Sequence, residues 1–390
     1  MAWPSQKPAW RKRLNTRWIR WALLRAIFRI LPLSSYFSFS MTSTPAVKNA
    51  CTVISDITSP ETAAFTPEQE AQILGPAAIN DKRYGSPPAT SADFIKQVAI
   101  VSNCAVLGHT GAPVRARDSA MLTVYGGYTP NWNFAKPRRL KERVFRNGLV
   151  TSVKGRHYYH FIEHMLPVLN YLRQEHKPGT PLTVLVPGNG NAFQHEICAA
   201  VSAGFPDVSF VPLETDEKAI IDEYLWLHDA SGMAEWLPVN QEGAAAFTQL
   251  MLRHYGLDDA PLGGQRLFFS RGTAKQRRLR NEAELETIAS TRGFERFEAH
   301  SGNHKEQVRQ FANADVIVAV HGAGLTNLLF ARPGTTVIEM FPDNCVKSTY
   351  LWLSARLGLE YYALLGSNGD YQQAFTIDRG RFTTALGSFA

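Results

Sequence analysis

The sequence predicts an α/β chain built as two domains that face a central cleft. Three observations point there. Short apolar runs alternate with helical patterns from Phe94 onward, the rhythm of βα repeats. The chain has 390 residues, more than the ~250–300 over which one core usually grows. Third, Val316–Pro342 (VIVAVHGAGLTNLLFARPGTTVIEMFP) reads as a complete strand–turn–helix–strand unit.

Taken in order, residues 1–50 form a basic segment with nine Lys and Arg and no acid. Drawn as a helix, residues 17–31 put Ile19, Ala22, Leu23, Ala26, Ile27 and Ile30 on a charge-free arc. Arg17, Arg20, Arg25 and Arg29 lie opposite, with Trp18, Trp21 and Phe28 among them. That pattern suits a helix lying in an anionic membrane surface, so residues 11–31 are expected at the inner, cytoplasmic face. The arginines interrupt every apolar run well short of the ~20 residues of a span, and no secretory h-region is present. Met41 is an alternative start to Met1.

The remaining 32 basic side chains, in residues 51–390, meet all 34 acidic ones. The body therefore lacks the basic surface of a polyanion binder, and nucleic acid is excluded as the expected partner. Cys51, Cys104, Cys198 and Cys345 are scattered without a CxxC pair. Neither a disulfide framework nor a structural zinc is expected, and a reducing compartment fits.

The first α/β domain is expected over 51–255, opening with an extended lead-in that includes one strand. Strands are predicted at Val98–Val106, Met121–Tyr125, Asn147–Val153, Leu182–Val186, Val208–Val211 and Glu223–Leu227, with a turn at Gly126-Gly127. Helices are predicted from His157, with Pro167 kinking or restarting it, at Ala192–Ala203, and at Ala244–Tyr255. Turn-rich Gly256–Gly264 marks the boundary to a second domain over 256–390. There, strands are predicted at Arg266–Ser270, Phe294–Phe297, Val316–Val320, Thr335–Met340 and Glu360–Leu364. Helices are expected from Glu282, Lys305, Leu325 and Val346.

Three stretches carry chemistry. His321-Gly322-Ala323-Gly324 stands where a buried parallel strand gives way to a helix, and ligands in open α/β sheets bind outside the carboxyl ends of strands. Backbone amides at that helix start would favour an anion, although the glycines would also serve close packing alone. Glu339, an acid inside an apolar strand, requires a partner or a ligand. Arg266, Arg271, Lys275, Arg277, Arg278 and Arg280 fall in one acid-free run after a strand end. They read either as a phosphate-binding loop or as a solvated charged turn. HYYHFIEHMLPVL, from His157, leaves more open. His157, His160 and His164 share a helical face, and His160-x-x-Glu163-His164 matches the inverted zinc-peptidase pattern. Equally, His160 or Glu163 fits a metal-free general base facing the cleft, and capping or structural histidines fit too.

SRGTAKQRRLRNEAEL followed by ADVIVAVHGAGLTNLLFARPGTTVIEMFP closely resembles the catalytic-domain signature of glycosyltransferase family 61. HYYHFIEHMLPVL resembles its upstream element, and together these span about Val150–Pro342. The resemblance implies a GT-B-like arrangement of two Rossmann-like domains and an inverting mechanism. It further implies a nucleotide-sugar donor, no obligatory metal or other cofactor, and a glycan or lipid-linked glycan acceptor in capsular or other surface polysaccharide synthesis. Position by position, Arg271 and Arg277 resemble donor-phosphate ligands, with Asn281 holding their loop. His321, Gly322 and Gly324 resemble the turn at the donor pyrophosphate or sugar, Glu339 the ribose-binding acid, and His160 the upstream histidine. In one departure, His164 stands where similar sequences often carry Asp or Glu, and Glu163 lies one place earlier. The base is thus His160, Glu163 or His164.

Overall fold

A computed structural model describes residues 51–58, 95–108, 111–115, 140–229, 241–258, 263–272, 274–347 and 349–387. The expected strand at Met121–Tyr125, its Gly126-Gly127 turn and the N-terminal amphipathic segment lie outside these residues. What is described is mixed α/β, organised on two sheets.

The first sheet contains β1 (Cys51–Thr58), β2 (Ile95–Leu107), β3 (Ala112–Arg115), β4 (Lys141–Phe145) and β5 (Leu149–Ser152). Helix α1 (Tyr158–Gln174) follows, then β6 (Leu182–Pro187), α2 (Ala192–Gly204), β7 (Val208–Leu213), β8 (Glu217–Asp229) and α3 (Gln241–Tyr255). The strand order is β1-β2-β8-β5-β6-β7, with β3 on β2 and β4 on β8. Strands β8, β5, β6 and β7 are parallel, as βα repeats require, whereas β1 and β2 join antiparallel. Two expectations need correction. The strand predicted at Glu223–Leu227 starts at Glu217, because its first half is paired by β2 and β4. Pro167 does not restart the helix: α1 is one helix of 17 residues, with buried side chains on both sides of the proline.

The second sheet takes β9 (Gln265–Ser270), α4 (Glu282–Ser290), β10 (Phe294–Glu298), α5 (His304–Asn313) and β11 (Ala314–Val320). A 3₁₀ helix (Ala323–Phe330), β12 (Thr336–Phe341), α6 (Thr349–Arg356), β13 (Glu360–Leu365) and α7 (Arg379–Gly387) complete it. All five strands are parallel, in the order β10-β9-β11-β12-β13. From β9 the chain winds outward to β10, then returns to the other side of β9 to form β11. Successive connections leave that point in opposite directions, which opens a crevice at the carboxyl ends of β9 and β11. The helix expected after His321 is 3₁₀ rather than α, so its hydrogen bonds close tighter turns.

Alternation along the strands divides the side chains between two faces. Phe268, Val316, Val318, Val320, Ile338 and Met340 pack with Leu285, Phe382 and Leu386 of α4 and α7. Leu267, Phe269, Ile317, Ala319 and Val337 face the other way, onto Val308 and Phe311 of α5. This second cluster does not stop at the sheet. It continues through Phe161, Ile162 and Met165 of α1 and Phe247 of α3 to Leu182 and Val184 of the first sheet. One helical layer thus serves both sheets. Each fully buried phenylalanine in it contributes about 2–3 kcal/mol of burial free energy.

A directional hydrogen-bond chain runs through that layer. Tyr158 donates to Asn327 Oδ1 at 2.5 Å, so its oxygen accepts from His304 Nε2 at 2.9 Å. His304 Nδ1 then accepts from Tyr255 at 2.9 Å, which assigns the tautomer. Asn327 passes its amide hydrogens to Gly324 O and Gln307 Oε1. Four elements (α1, α3, α5 and the 3₁₀ helix) are tied by one neutral imidazole. Burial, and secondarily His254, lowers the His304 pKa to about 4. A base depressed in the fold stabilises fully above its unfolded value near 6.5 and loses that contribution as pH falls toward 4. The loss is on the order of 3 kcal/mol. Denaturant melts between pH 7 and 4 are expected to show this slope, and His304→Gln to flatten it; an unchanged slope would assign it to other groups.

Candidate functional site

The crevice predicted by the strand order is where the sequence-singled residues gather. Ser270 ends β9, and the next residue, Arg271, folds its guanidinium back across the gap. Arg271 Nη1 donates to His321 O at 3.1 Å, and Arg277 Nε donates to the same oxygen at 3.1 Å. Arg271 Nη2 also reaches Gln276 O, and Arg277 Nη1 reaches Gln373 Oε1. Their partners are carbonyl oxygens, and neither forms an ion pair among the described residues. Two cations therefore converge with no ion pair among the described residues; the Glu282 carboxylate accepts from the Arg271 backbone amide at 3.0 Å and favours its charge without pairing with the guanidinium. Burial first, and Arg277 second, lowers the Arg271 pKa to about 10. Its Nε is buried without a partner among the described residues. That is the electrostatic state an anion would relieve.

The loop carrying these arginines is held rigidly. Arg277 sits at φ +56°, a left-handed conformation unfavourable for a residue with a Cβ, and its amide is fixed on Gln372 O at 2.9 Å. Asn281 bonds both the amide and the carbonyl of Ile377, tying the loop to the C-terminal segment. The rest of the basic run disperses: Arg280 pairs with Asp370 at 2.8 Å, and Arg266 caps Arg292 O.

The glycines are needed for close approach. A Cβ on Gly322 would stand 1.2 Å from Arg271 Nη1, and one on Gly324 would stand 2.5 Å from the Phe269 ring. The first glycine admits the guanidinium and the second seats the turn on β9. One expected donor is absent: the His321 amide is spent on Met340 O at 3.0 Å, where strand pairing continues past Val320. The anion-facing groups at this edge are therefore guanidinium hydrogens more than the His321 backbone.

Glu339 is also corrected. It was expected to reach a ribose, but it has no exposed surface. Its Oε1 lies 2.5 Å from His321 Nδ1, and its Oε2 accepts from Tyr361 at 2.5 Å. Both oxygens are occupied, so the acid serves His321 rather than a ligand. The imidazole is stacked on Phe341 at 5.1 Å and tilted against Tyr350 at 5.5 Å.

Across the crevice stands the N-terminus of α1. His160 Nδ1 lies 2.9 Å from Glu163 Oε2, with side-chain exposures of 44% and 13%. The imidazole is open to solvent and the carboxylate stands behind it, so in the neutral dyad Nε2 carries the free lone pair. Gly155, at φ +87°, leaves room here; a Cβ there would meet His160 Cβ at 2.7 Å. Burial, then Lys154 and His160, lowers the His164 pKa to about 3, so its imidazole is neutral at pH 7. His157 is exposed at the helix start. Ring contacts bridge the two walls, from His160 to Tyr159 at 5.3 Å, Tyr159 to Tyr350 at 6.3 Å, and Tyr350 to His321.

The peptidase reading does not fit this geometry. Glu163 bonds the histidine it would have to leave free, and among the described residues no three His, Cys, Asp or Glu side chains converge on a metal position. Tyr158, His304, Tyr350 and Tyr361 were not singled out from the sequence. Only Glu339 hinted at one of them, by needing a partner.

The resemblance to glycosyltransferase family 61 holds: residues 158–338 match the family model described as Glycosyltransferase 61. The match includes His160, Glu163, Arg271, Arg277, Asn281, His321, Gly322 and Gly324, and ends one residue before Glu339. A β-1,2-xylosyltransferase of Arabidopsis thaliana is 33% identical over 75 residues, 19% of this chain and 14% of that protein. The EGF domain-specific O-linked N-acetylglucosamine transferase of Bos taurus is 29% identical over 149 residues, 36% of this chain and 27% of that protein. The chain thus spans little more than a quarter, or less, of the curated relatives' lengths. Among solved structures, an E. coli heptosyltransferase WaaC with ADP-2-deoxy-2-fluoro heptose matches with TM-score 0.32 and 13% identity, over 63% of this chain and 98% of that one.

Gly322→Ala is expected to expel the Arg271 guanidinium and weaken binding of UDP or pyrophosphate by about tenfold or more. Calorimetric titration with a thermal melt as control checks it. Wild-type affinity in a folded variant would remove Arg271 from the anion site.

Proposed function

We propose that the protein is an inverting glycosyltransferase that moves a sugar from a nucleotide-sugar to a hydroxyl of a glycan or lipid-linked glycan. The observation that carries the proposal is the unneutralised Arg271–Arg277 pair at the crevice, faced across two tyrosines by the His160–Glu163 dyad. The family match over residues 158–338 supports it.

In this reading the donor diphosphate lies on the two guanidinia. His160 Nε2 takes the proton of the acceptor hydroxyl, and Glu163 holds the imidazole and stabilises it once protonated. The acceptor oxygen bonds to the anomeric carbon from the face opposite the diphosphate as the bond to the diphosphate breaks. Negative charge then grows on the leaving group, where preorganised cations lower the barrier; one such donor is typically worth about 3–4 kcal/mol. Two arginines supply the charge that another design would take from a divalent cation, so no metal is required.

The setting we propose is surface polysaccharide synthesis at the cytoplasmic face of a membrane, with residues 11–31 touching anionic lipid. No helix among the described residues is long and apolar enough to cross a membrane. Deleting residues 1–40 is expected to abolish sedimentation with phosphatidylglycerol vesicles; equal sedimentation would refute the anchor.

The catalytic reading is tested by stages. A thermal-shift screen of UDP-, GDP-, dTDP- and CMP-sugars identifies the donor by mass action. His160→Ala is expected to lower kcat about 10²–10⁴-fold with nucleoside diphosphate affinity unchanged. Product NMR should show an inverted anomeric centre. A folded protein that binds donor but transfers and hydrolyses nothing would favour a non-catalytic binding role.

A further inference from the structure

The hydrogen bonds around Glu339 fix more than its burial. Glu339 lies in β12, all six of whose residues are buried. Strand register places Val337 beside Tyr361, so Tyr361 stands on the same face as Glu339, two residues away. The phenol donates to one carboxylate oxygen and His321 Nδ1 sits on the other. Glu339 offers only acceptors, so the hydrogen between it and the ring resides on Nδ1. In the neutral ring Nε2 then carries a lone pair and no hydrogen. It has no partner among the described residues, and the side chain keeps a 7% exposed remnant. Phe341 and Tyr350 hold the ring from its sides, and the arginines hold its backbone carbonyl.

We infer that Tyr361, Glu339 and His321 form a positioning relay that presents His321 Nε2 as a hydrogen-bond acceptor to a hydroxyl of the transferred sugar. The inference rests on the glycosyltransferase reading and deepens it. The diphosphate belongs to Arg271 and Arg277, which supply donors only. A group that accepts beside them suits the part of the donor that carries hydroxyls, namely the sugar. Glu339 and Tyr361 then act on donor selection through His321 and touch no substrate themselves.

The relay predicts a separation that a merely structural role would not produce. The probes are the nucleotide-sugar that most stabilises the wild type and its matching nucleoside diphosphate. Glu339→Gln introduces an NH₂ group that conflicts with either the Nδ1 hydrogen or the phenol. It is expected to weaken the nucleotide-sugar about 10–100-fold, the scale seen when a metal-ligating histidine loses its orienting partner, and the nucleoside diphosphate less than about threefold. Tyr361→Phe keeps the ring packing and removes one hydrogen bond. It is expected to weaken the nucleotide-sugar several-fold and leave the diphosphate unchanged, which protects the test should Glu339→Gln fail to fold. Equal loss of both ligands in a folded variant would overturn the relay and return Glu339 to the nucleotide; no loss of either would also overturn it. A wild type that binds the nucleoside diphosphate but gains nothing from any attached sugar removes the sugar contact alone. A wild type that binds neither removes the transferase reading, and the relay with it.

Discussion

A carboxyl group with no exposed surface stands in the middle of the second sheet, and much of the site follows from satisfying it. Leaving such a group unpaired in an apolar strand costs several kcal/mol. Glu339 is satisfied by two groups from different elements, His321 after β11 and Tyr361 in β13. Those bonds fix the imidazole, while the His321 amide on Met340 O fixes the backbone whose carbonyl Arg271 and Arg277 share. Gly322 must then be a glycine, because the Arg271 guanidinium occupies the volume a side chain would take. Each requirement is met only if β9, β11, β12 and β13 keep their register, so the site is as ordered as the sheet beneath it.

The wall opposite is joined to this sheet by packing as well as by proximity. The apolar cluster through α1 and α3 is continuous with both sheets, and the Tyr255–His304–Tyr158–Asn327 chain crosses it with every donor direction determined. A buried polar chain of this kind specifies one arrangement, since a slip of any element strands a donor or an acceptor. It ends on Gly324 O, inside the glycine turn. The helix that carries His160 and the turn that carries His321 are therefore positioned by a common set of bonds, from Tyr158 on one side and Asn327 on the other.

Much of this was legible in the sequence, for identifiable reasons. Strands β9, β11 and β12 are parallel and buried on both faces, so they read as apolar runs, and the glycine turn and arginine run follow their ends directly. Strand β4 was not legible: four of its five residues are exposed, and only pairing with β8 makes it a strand. The first half of β8 was not legible either, for a different reason: residues 217–221 are half-buried to buried, but Glu217 and Lys218 open it and only pairing with β2 and β4 extends the strand that far. Glu339 was correctly marked as an acid needing a partner, but the partner was wrong. Composition says that a buried carboxylate must be paired; only the register of β12 against β13 says that Tyr361 is within reach. Tyr350 and His304 escaped notice because their roles depend on contacts between elements far apart in the chain.

Two histidine–carboxylate pairs occupy one crevice, and their burial separates their roles. The His160–Glu163 pair is local, three residues apart on one helix, with the imidazole 44% exposed. A group that takes a proton from an incoming hydroxyl and later returns it to water needs such access. The His321–Glu339 pair is assembled from the end of β11 and the interior of β12 and is 7% and 0% exposed. Solvent exchange there is obstructed, and a third group, Tyr361, already holds the far carboxylate oxygen. That arrangement suits fixing a direction rather than carrying a proton through a cycle. The proposed metal-free transfer would need both functions at once, an exchanging base for the acceptor and an immobile, cation-rich wall for the donor. The two pairs differ in the way those functions would require, which is why neither histidine can be understood from its local sequence alone.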